Sequence, residues 1–227
     1  MDIEACIFDL DGTLVDSMSA WNEACNDFLA RRGLIAYDGL LTEFAQTGLE
    51  ASAIRFINHY HLTESIEDIV AEFVAFAEEK YASEIYLKPG AYELLDALKN
   101  KGIKLAITTA SRRRPLESSL RNNNAIDFFD ALVSVDEVTP LGKTTPEGYL
   151  ITADMIGIDP SECVVFEDVL GPATQAHKGG FHVIGVYDES PAQDHVALAE
   201  EADVFIDCFA EAADALKQLD PSFSLEQ

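Results

Sequence analysis

Short runs of consecutive apolar residues recur along the chain, each closed by polar or turn-forming positions. EACIFDL (4–10), KLAITT (104–109), ALVSV (131–135), CVVF (163–166), HVIGV (182–186) and DVFID (203–207) are strand-length and not alternating. Such runs suit parallel strands covered on both faces. Between them lie stretches of helical spacing near 90–101, 112–123, 145–156, 171–179, 193–201 and 208–218. Strand and helix in alternation predict an α/β fold built on a doubly wound parallel sheet.

One section breaks the rhythm. From Ser17 to about Tyr86 no strand pattern occurs, and SAWNEACNDFLARRG, ASAIRFINHY and ESIEDIVAEFVAFAEEKY carry amphipathic helical spacing. This is too long for a connecting loop, so an all-helical domain inserted after the first strand is expected. Pro89 and Gly90 punctuate the return to the sheet. Phe56, Tyr60, Phe73 and Phe76 recur at helical intervals and read as the core of that insertion.

Composition narrows the setting. The 227 residues are 48% hydrophobic, enough for a packed core, and no run is long enough to span a bilayer. The start, MDIEACIFDL, lacks a basic signal-peptide segment, so a cytoplasmic protein is expected. Cys6, Cys25, Cys163 and Cys208 are widely spaced, which argues against structural zinc and for reduced thiols. A formal charge of −26 disfavours nucleic acid and anionic membranes as partners. Any phosphate site must then carry its own local positive charge. A monomer is taken as the default state.

The chemistry gathers where strands end. The first run finishes with Asp9 and Asp11, two residues apart and so on one face if the strand continues. Gly12 follows and permits a turn. Later runs end in Thr108 and Thr109, in Glu167 and Asp168, and, beyond the third, in Lys143. Open α/β sheets bind ligands at this edge. Asp9, Asp11 and Asp168 form a hard-oxygen set suited to Mg²⁺. Thr109 and Lys143 supply a hydroxyl and a cation for a phosphoryl group.

DLDGTLVDS, then Thr109, then Lys143, then FEDVLG resemble the four signature motifs of the haloacid dehalogenase superfamily. The nearest subgroup is that of the β-phosphoglucomutase-like and phosphoglycolate-phosphatase-like enzymes. The resemblance covers nearly the whole chain. It implies a Rossmann-like catalytic core (1–16 and 87–227), a helical cap (17–86), and Mg²⁺-dependent hydrolysis of a small phosphorylated metabolite. It assigns Asp9 as nucleophile and Asp11 as general acid and base. Metal contacts would come from Asp9, the Asp11 main-chain carbonyl and Asp168, with Glu167 supporting the metal or Lys143. Thr109 and Lys143 would hold the phosphoryl group.

Other positions carry plainer expectations. Asp16 and Ser17 read as an N-cap for the first inserted helix, and Thr108 as structural. Glu167 is also readable as an exposed strand-end acid. Ser111, Arg112 and Arg113, in the run SRRRP, are candidates for attracting an anionic substrate or a solvated helix start. Arg55 is a further candidate for reaching the substrate. His59, His61, His177, His182 and His195 show no ligand spacing. The third motif departs from the family's usual Gly-Lys-Pro-x-Pro-Asp, reading GKTTPE. Val169 stands where a serine or threonine is usual, and Pro172 reads as the first residue of the next helix. Three alternatives to a phosphatase are a sugar phosphate mutase, a phosphoacceptor module and a non-catalytic binding protein. In the mutases a histidine follows the first motif; Trp21 falls there and cannot shuttle a proton. In a phosphoacceptor, Asp11 would hydrolyse the phosphate that the module must keep.

Overall fold

The computed structural model describes residues 2–40, 43, 49–190 and 193–225. Of the expected cap, 41, 42 and 44–48 lie outside the described residues, as do 1, 191, 192, 226 and 227 of the expected core.

Six strands form one parallel sheet: β1 Ala5–Phe8, β2 Lys104–Thr109, β3 Ala131–Ser134, β4 Cys163–Glu167, β5 His182–Val186 and β6 Val204–Ile206. Their order is β3-β2-β1-β4-β5-β6, so the sheet grows outward in both directions from the β1/β4 junction. That junction is the topological switch point, where a crevice opens at the carboxyl ends of the strands.

Among the described residues the named helices are α1 Met18–Arg31, α2 Leu49–Tyr60, α3 Ile66–Tyr81, α4 Ala91–Lys101, α5 Arg113–Asn122, α6 Val135–Val138, α7 Glu147–Ile156, α8 Leu170–Lys178, α9 His195–Glu201 and α10 Ala212–Leu219. Successive strand residues point to opposite faces, and each face has its own cover. Cys6 and Phe8 join Leu105, Ile107, Val164 and Phe166 under α4, α5 and α10. Ala5 and Ile7 join Ala106, Cys163 and Val165 under α7, α8 and α9. This two-sided burial is why the strands read as continuous apolar runs.

Helices α1, α2 and α3 enclose a separate cluster in which the Phe28 ring stacks on Phe56 and Phe73 at 5.1 and 5.0 Å. Tyr60 and Phe76 are partly buried against it. Trp21 packs against both this cluster and the sheet-side core. At α3 the Ser65 side chain caps the helix by accepting the Asp68 N–H.

Several boundaries shift from the sequence expectation. β1 stops at Phe8, before Asp9, because the chain then turns: the Leu14 and Val15 N–H groups both donate to Leu10 O at 2.9 Å. β3 stops at Ser134, and α6 begins at Val135. Helix α8 begins at Leu170, so Pro172 is its third residue rather than its first. It still lies in the first turn, whose N–H groups have no partner within the helix.

Candidate active site

At the switch point the Asp9 N–H donates to Phe166 O at 3.0 Å, fixing the start of the turn beside β4. β4 ends in Glu167, and Asp168 follows. Asp9, Glu167 and Asp168 are 6%, 1% and 3% exposed, and a carboxylate oxygen from each lies within 4.8 Å of the others. Three buried carboxylates this close repel one another unless cations intervene. Lys143, on a 3-10 turn between β3 and α7, is the first compensation: Nζ pairs with Asp9 Oδ1 and with Glu167 Oε2, the latter at 2.8 Å. The Tyr149 hydroxyl donates to the same Glu167 oxygen at 2.7 Å. Glu167 is therefore a buried, fully engaged group and not an exposed strand-end acid.

Burial opposes the charge on Lys143, but Asp9 and Glu167 together outweigh it and hold its pKa well above the usual lysine value. Burial pushes Glu167 up to about 7 despite Lys143, which lowers it. Asp168 is driven well above the carboxylate range by burial first and then by Glu167 and Asp9. Its Oδ1 accepts the Thr13 hydroxyl at 2.7 Å, but it makes no ion pair among the described residues. A buried acidic cluster with one lysine and only oxygen donors fits a divalent hard cation.

Asp11 does something different. Because the chain leaves the strand after Phe8, its carboxylate does not share Asp9's partners as an in-strand pair would. Oδ1 accepts the hydroxyls of Ser17, at 2.7 Å, and of Tyr81; Oδ2 accepts Ser111 at 2.5 Å. Trp21 Nε1 donates to the Tyr81 hydroxyl at 3.0 Å. Burial and then the Asp9 charge push the Asp11 carboxyl up to about 6, with the Ser111, Ser17 and Trp21 donors acting against them. Ser17 does occupy the N-cap position of α1, but its hydroxyl donates to Asp11 and makes no cap bond. Ser17 thus takes the expected N-cap position, but its side chain serves Asp11 rather than the helix.

These groups line a cavity of about 750 Å³ together with Thr109, Ser111 and Arg112. The Thr109 hydroxyl oxygen accepts the Ser111 N–H at 3.0 Å, and Ser134 Oγ donates to Ser111 O at 2.8 Å, which shapes the loop after β2. Thr108 is turned away and bonds Thr152 at 2.7 Å inside the core. Arg112 pairs with Glu50 and, at 3.6 Å, with Asp136. Arg113 differs from its expectation: it is not among the cavity residues, because Nη2 pairs with Glu137 at 2.7 Å and Nη1 donates to Leu132 O at 2.9 Å. Arg55 likewise pairs with Glu43 at 2.8 Å, away from the cavity lining.

The sequence marked Gly12 only as a place for a turn, and other supporting residues carried no signal. Gly12 has φ +78°, and a Cβ there would collide with the Asp168 carboxyl; only glycine permits this approach. Gln193 Nε2 donates to Asp168 O and to Val186 O, both at 2.7 Å. Lys88, on the return from the helical insertion, donates to Gly12 O and pairs with Asp188 at 2.9 Å. Tyr81 and Tyr149 sit in helices α3 and α7, and their hydroxyls reach Asp11 and Glu167. In the departing third motif, Thr144 Oγ1 donates to Leu141 O at 2.6 Å, and Glu147 accepts the Thr139 hydroxyl at 2.8 Å. Both side chains thus make local bonds that hold the turn carrying Lys143. None of the five histidines joins the acidic cluster. His177, for one, sits between Glu201 and Asp203 at 3.0 and 3.1 Å.

Residues 3–171 match the haloacid dehalogenase-like hydrolase family. The chain is 33% identical over 188 residues to hexitol phosphatase A of Escherichia coli K12, covering 82% of this chain and 84% of the relative. It is 30% identical over 207 residues to validoxylamine A 7′-phosphate phosphatase of Streptomyces hygroscopicus subsp. limoneus, covering 89% and 92%. Its structure is similar to that of CbbY from Rhodobacter sphaeroides in complex with phosphate, with a TM-score of 0.81, 27% identity and coverage of 92% and 96%. Motif order, sheet topology and the match over most of the chain agree: the protein belongs to the haloacid dehalogenase-like hydrolase family.

Proposed function

We propose that the protein is a Mg²⁺-dependent phosphatase that hydrolyses a small phosphate monoester, a sugar phosphate or similar organic phosphate, through a phosphorylated Asp9. One observation carries the reading: Asp9, Glu167, Asp168 and Lys143 converge in a buried cluster on the cavity that also holds Asp11 and Thr109. The hexitol and validoxylamine phosphatases to which the chain is similar support the substrate class.

Asp9 attacks phosphorus, forming an acyl phosphate as the ester P–O bond breaks. Asp11 delivers its proton to the departing oxygen, which leaves as the alcohol. Asp11, now a carboxylate, then takes a proton from the water that attacks phosphorus, releasing inorganic phosphate and restoring Asp9. A carboxyl pushed up to about 6 suits a group that must both give and take a proton near neutrality. Lys143 and Thr109 hold the phosphoryl oxygens. The cation would be held by Asp9, Asp168 and the Asp11 main-chain carbonyl, beside Glu167, and would neutralise charge on the nucleophile and on the transferring oxygens.

In this reading residues 17–86 act as the cap, and residues 1–16 and 87–227 as the catalytic core. Closure of the cap limits the substrate to small molecules and excludes bulk water. The test is release of inorganic phosphate from a panel of phosphorylated metabolites with and without Mg²⁺. Asp9→Asn is expected to keep the fold and lose turnover; wild-type-like rates in that variant would remove Asp9 as nucleophile.

A further inference from the structure

The cavity lining is of two kinds. The strand ends bring carboxylates, Thr109 and Lys143. The described lining from the inserted helices and α5 consists of Met18, Trp21, Leu49, Val74, Ala77 and Pro115. None of these offers a charge, and the Trp21 indole N–H donates to Tyr81.

Among the described residues the lining has one cation besides Lys143, and that is Arg112. It is already engaged from two sides. Glu50, at the start of α2, pairs with Nη2, and Asp136, itself a lining residue, lies 3.6 Å from Nε. One guanidinium between two carboxylates leaves this group with surplus negative charge. A second anionic group on the substrate would have to displace Glu50 and then sit beside Asp136. Like charges brought together at these partly exposed side chains repel, and solvent and salt screen that repulsion only in part. The net charge of −26 adds to the repulsion at longer range.

We infer that the substrate carries a single phosphate, and that the rest of it is uncharged and presents an apolar face to Trp21, Met18 and Val74. Bisphosphates and phosphocarboxylates are selected against by the Glu50–Arg112–Asp136 group. The inference rests on the phosphatase reading and narrows its substrate class.

The test compares four esters that all leave as primary alcohols: thymidine 5′-monophosphate, sorbitol 6-phosphate, 2-phosphoglycolate and fructose 1,6-bisphosphate. Inorganic phosphate is measured under saturating Mg²⁺, in wild type, Glu50→Gln and Asp136→Asn. Glu50 is half exposed, so its replacement leaves packing intact. For the wild type, kcat/KM should be about tenfold or more higher for the thymidine ester than for any of the others. In either variant the ratio of the 2-phosphoglycolate value to the thymidine value should rise about fivefold or more. That rise should shrink with added salt. A wild-type preference for sorbitol 6-phosphate, 2-phosphoglycolate or the bisphosphate overturns the inference and leaves the phosphatase reading standing. So does a ratio unmoved in both variants. Absence of turnover on every ester removes the phosphatase reading and this inference with it.

Discussion

Replacing Asp168 by asparagine should make the metal-free protein more stable while removing its response to Mg²⁺. Asp168 is 3% exposed and within 4.8 Å of carboxylate oxygens on Asp9 and Glu167. Lys143 pairs with both of those neighbours and not with Asp168. Two carboxylates and one ammonium act on Asp168 as roughly one net negative charge. At 4.8 Å and an effective dielectric constant of about 20, one such repulsion is worth about 3.5 kcal/mol. The alternative for the protein is to protonate Asp168. At pH 8, against an ordinary pKa of about 3.9, that costs about 5.6 kcal/mol, which caps the penalty. Asparagine keeps the volume and the carbonyl oxygen that accepts the Thr13 hydroxyl at 2.7 Å. A gain of about 3 kcal/mol is expected, allowing for relaxation around the cluster. For a chain of this size that corresponds to a Tm rise of about 6–12 °C. The assay is calorimetric or fluorescence-detected melting at pH 8 in chelator, repeated with Mg²⁺. Wild type should gain stability with the cation by mass action, and Asp168→Asn should not. A lower Tm for the variant in chelator would refute the reasoning, because it would mean that the carboxylate is compensated by something other than a cation.

Asp11→Ala should lose about 10²–10⁴-fold in turnover and still show the Mg²⁺-induced rise in Tm, since its carboxyl bonds Ser17, Tyr81 and Ser111 rather than the acidic cluster. Loss of that rise to the extent expected of Asp168→Asn would reverse the two roles. Without metal, stability should fall as pH rises from about 4.5 to about 7. Glu167, pushed up to about 7, holds its proton in the folded state over that window while the unfolded chain has released it. The size is roughly 3 kcal/mol from this group, flattening above pH 7 and reduced by Mg²⁺; urea melts at pH 5 and pH 8 that show the opposite slope would exclude it. Given β-glucose 1-phosphate and a trace of the bisphosphate, the protein should release inorganic phosphate faster than it forms glucose 6-phosphate, because Trp21 offers no proton-accepting nitrogen and its N–H is donated to Tyr81. The reverse order would make it a mutase.

The sequence by itself determined the sheet, the helical insertion and the residue types at the strand ends. Those follow from signals that are local in the chain. A strand buried on both faces must be apolar throughout, a helix buried on one face must repeat its apolar positions every three or four residues, and DLDGT and FEDVLG each span one strand end. Lys143, Glu167 and Asp168 were legible because each follows a recognisable strand or motif. What only the tertiary structure decided was the partner of each polar group. Asp11 parts from Asp9 because Leu10 O takes the Leu14 and Val15 N–H groups and ends the strand early; the apolar pattern did not show that turn. Tyr81 and Tyr149 lie in helices α3 and α7, and their hydroxyls reach Asp11 and Glu167 across 70 and 18 residues of chain. Arg112 and Arg113 are adjacent in sequence, yet one faces the cavity and the other is held by Glu137. Residues drawn together from different elements have no spacing in the chain to betray them, since their distance is set by how the layers pack.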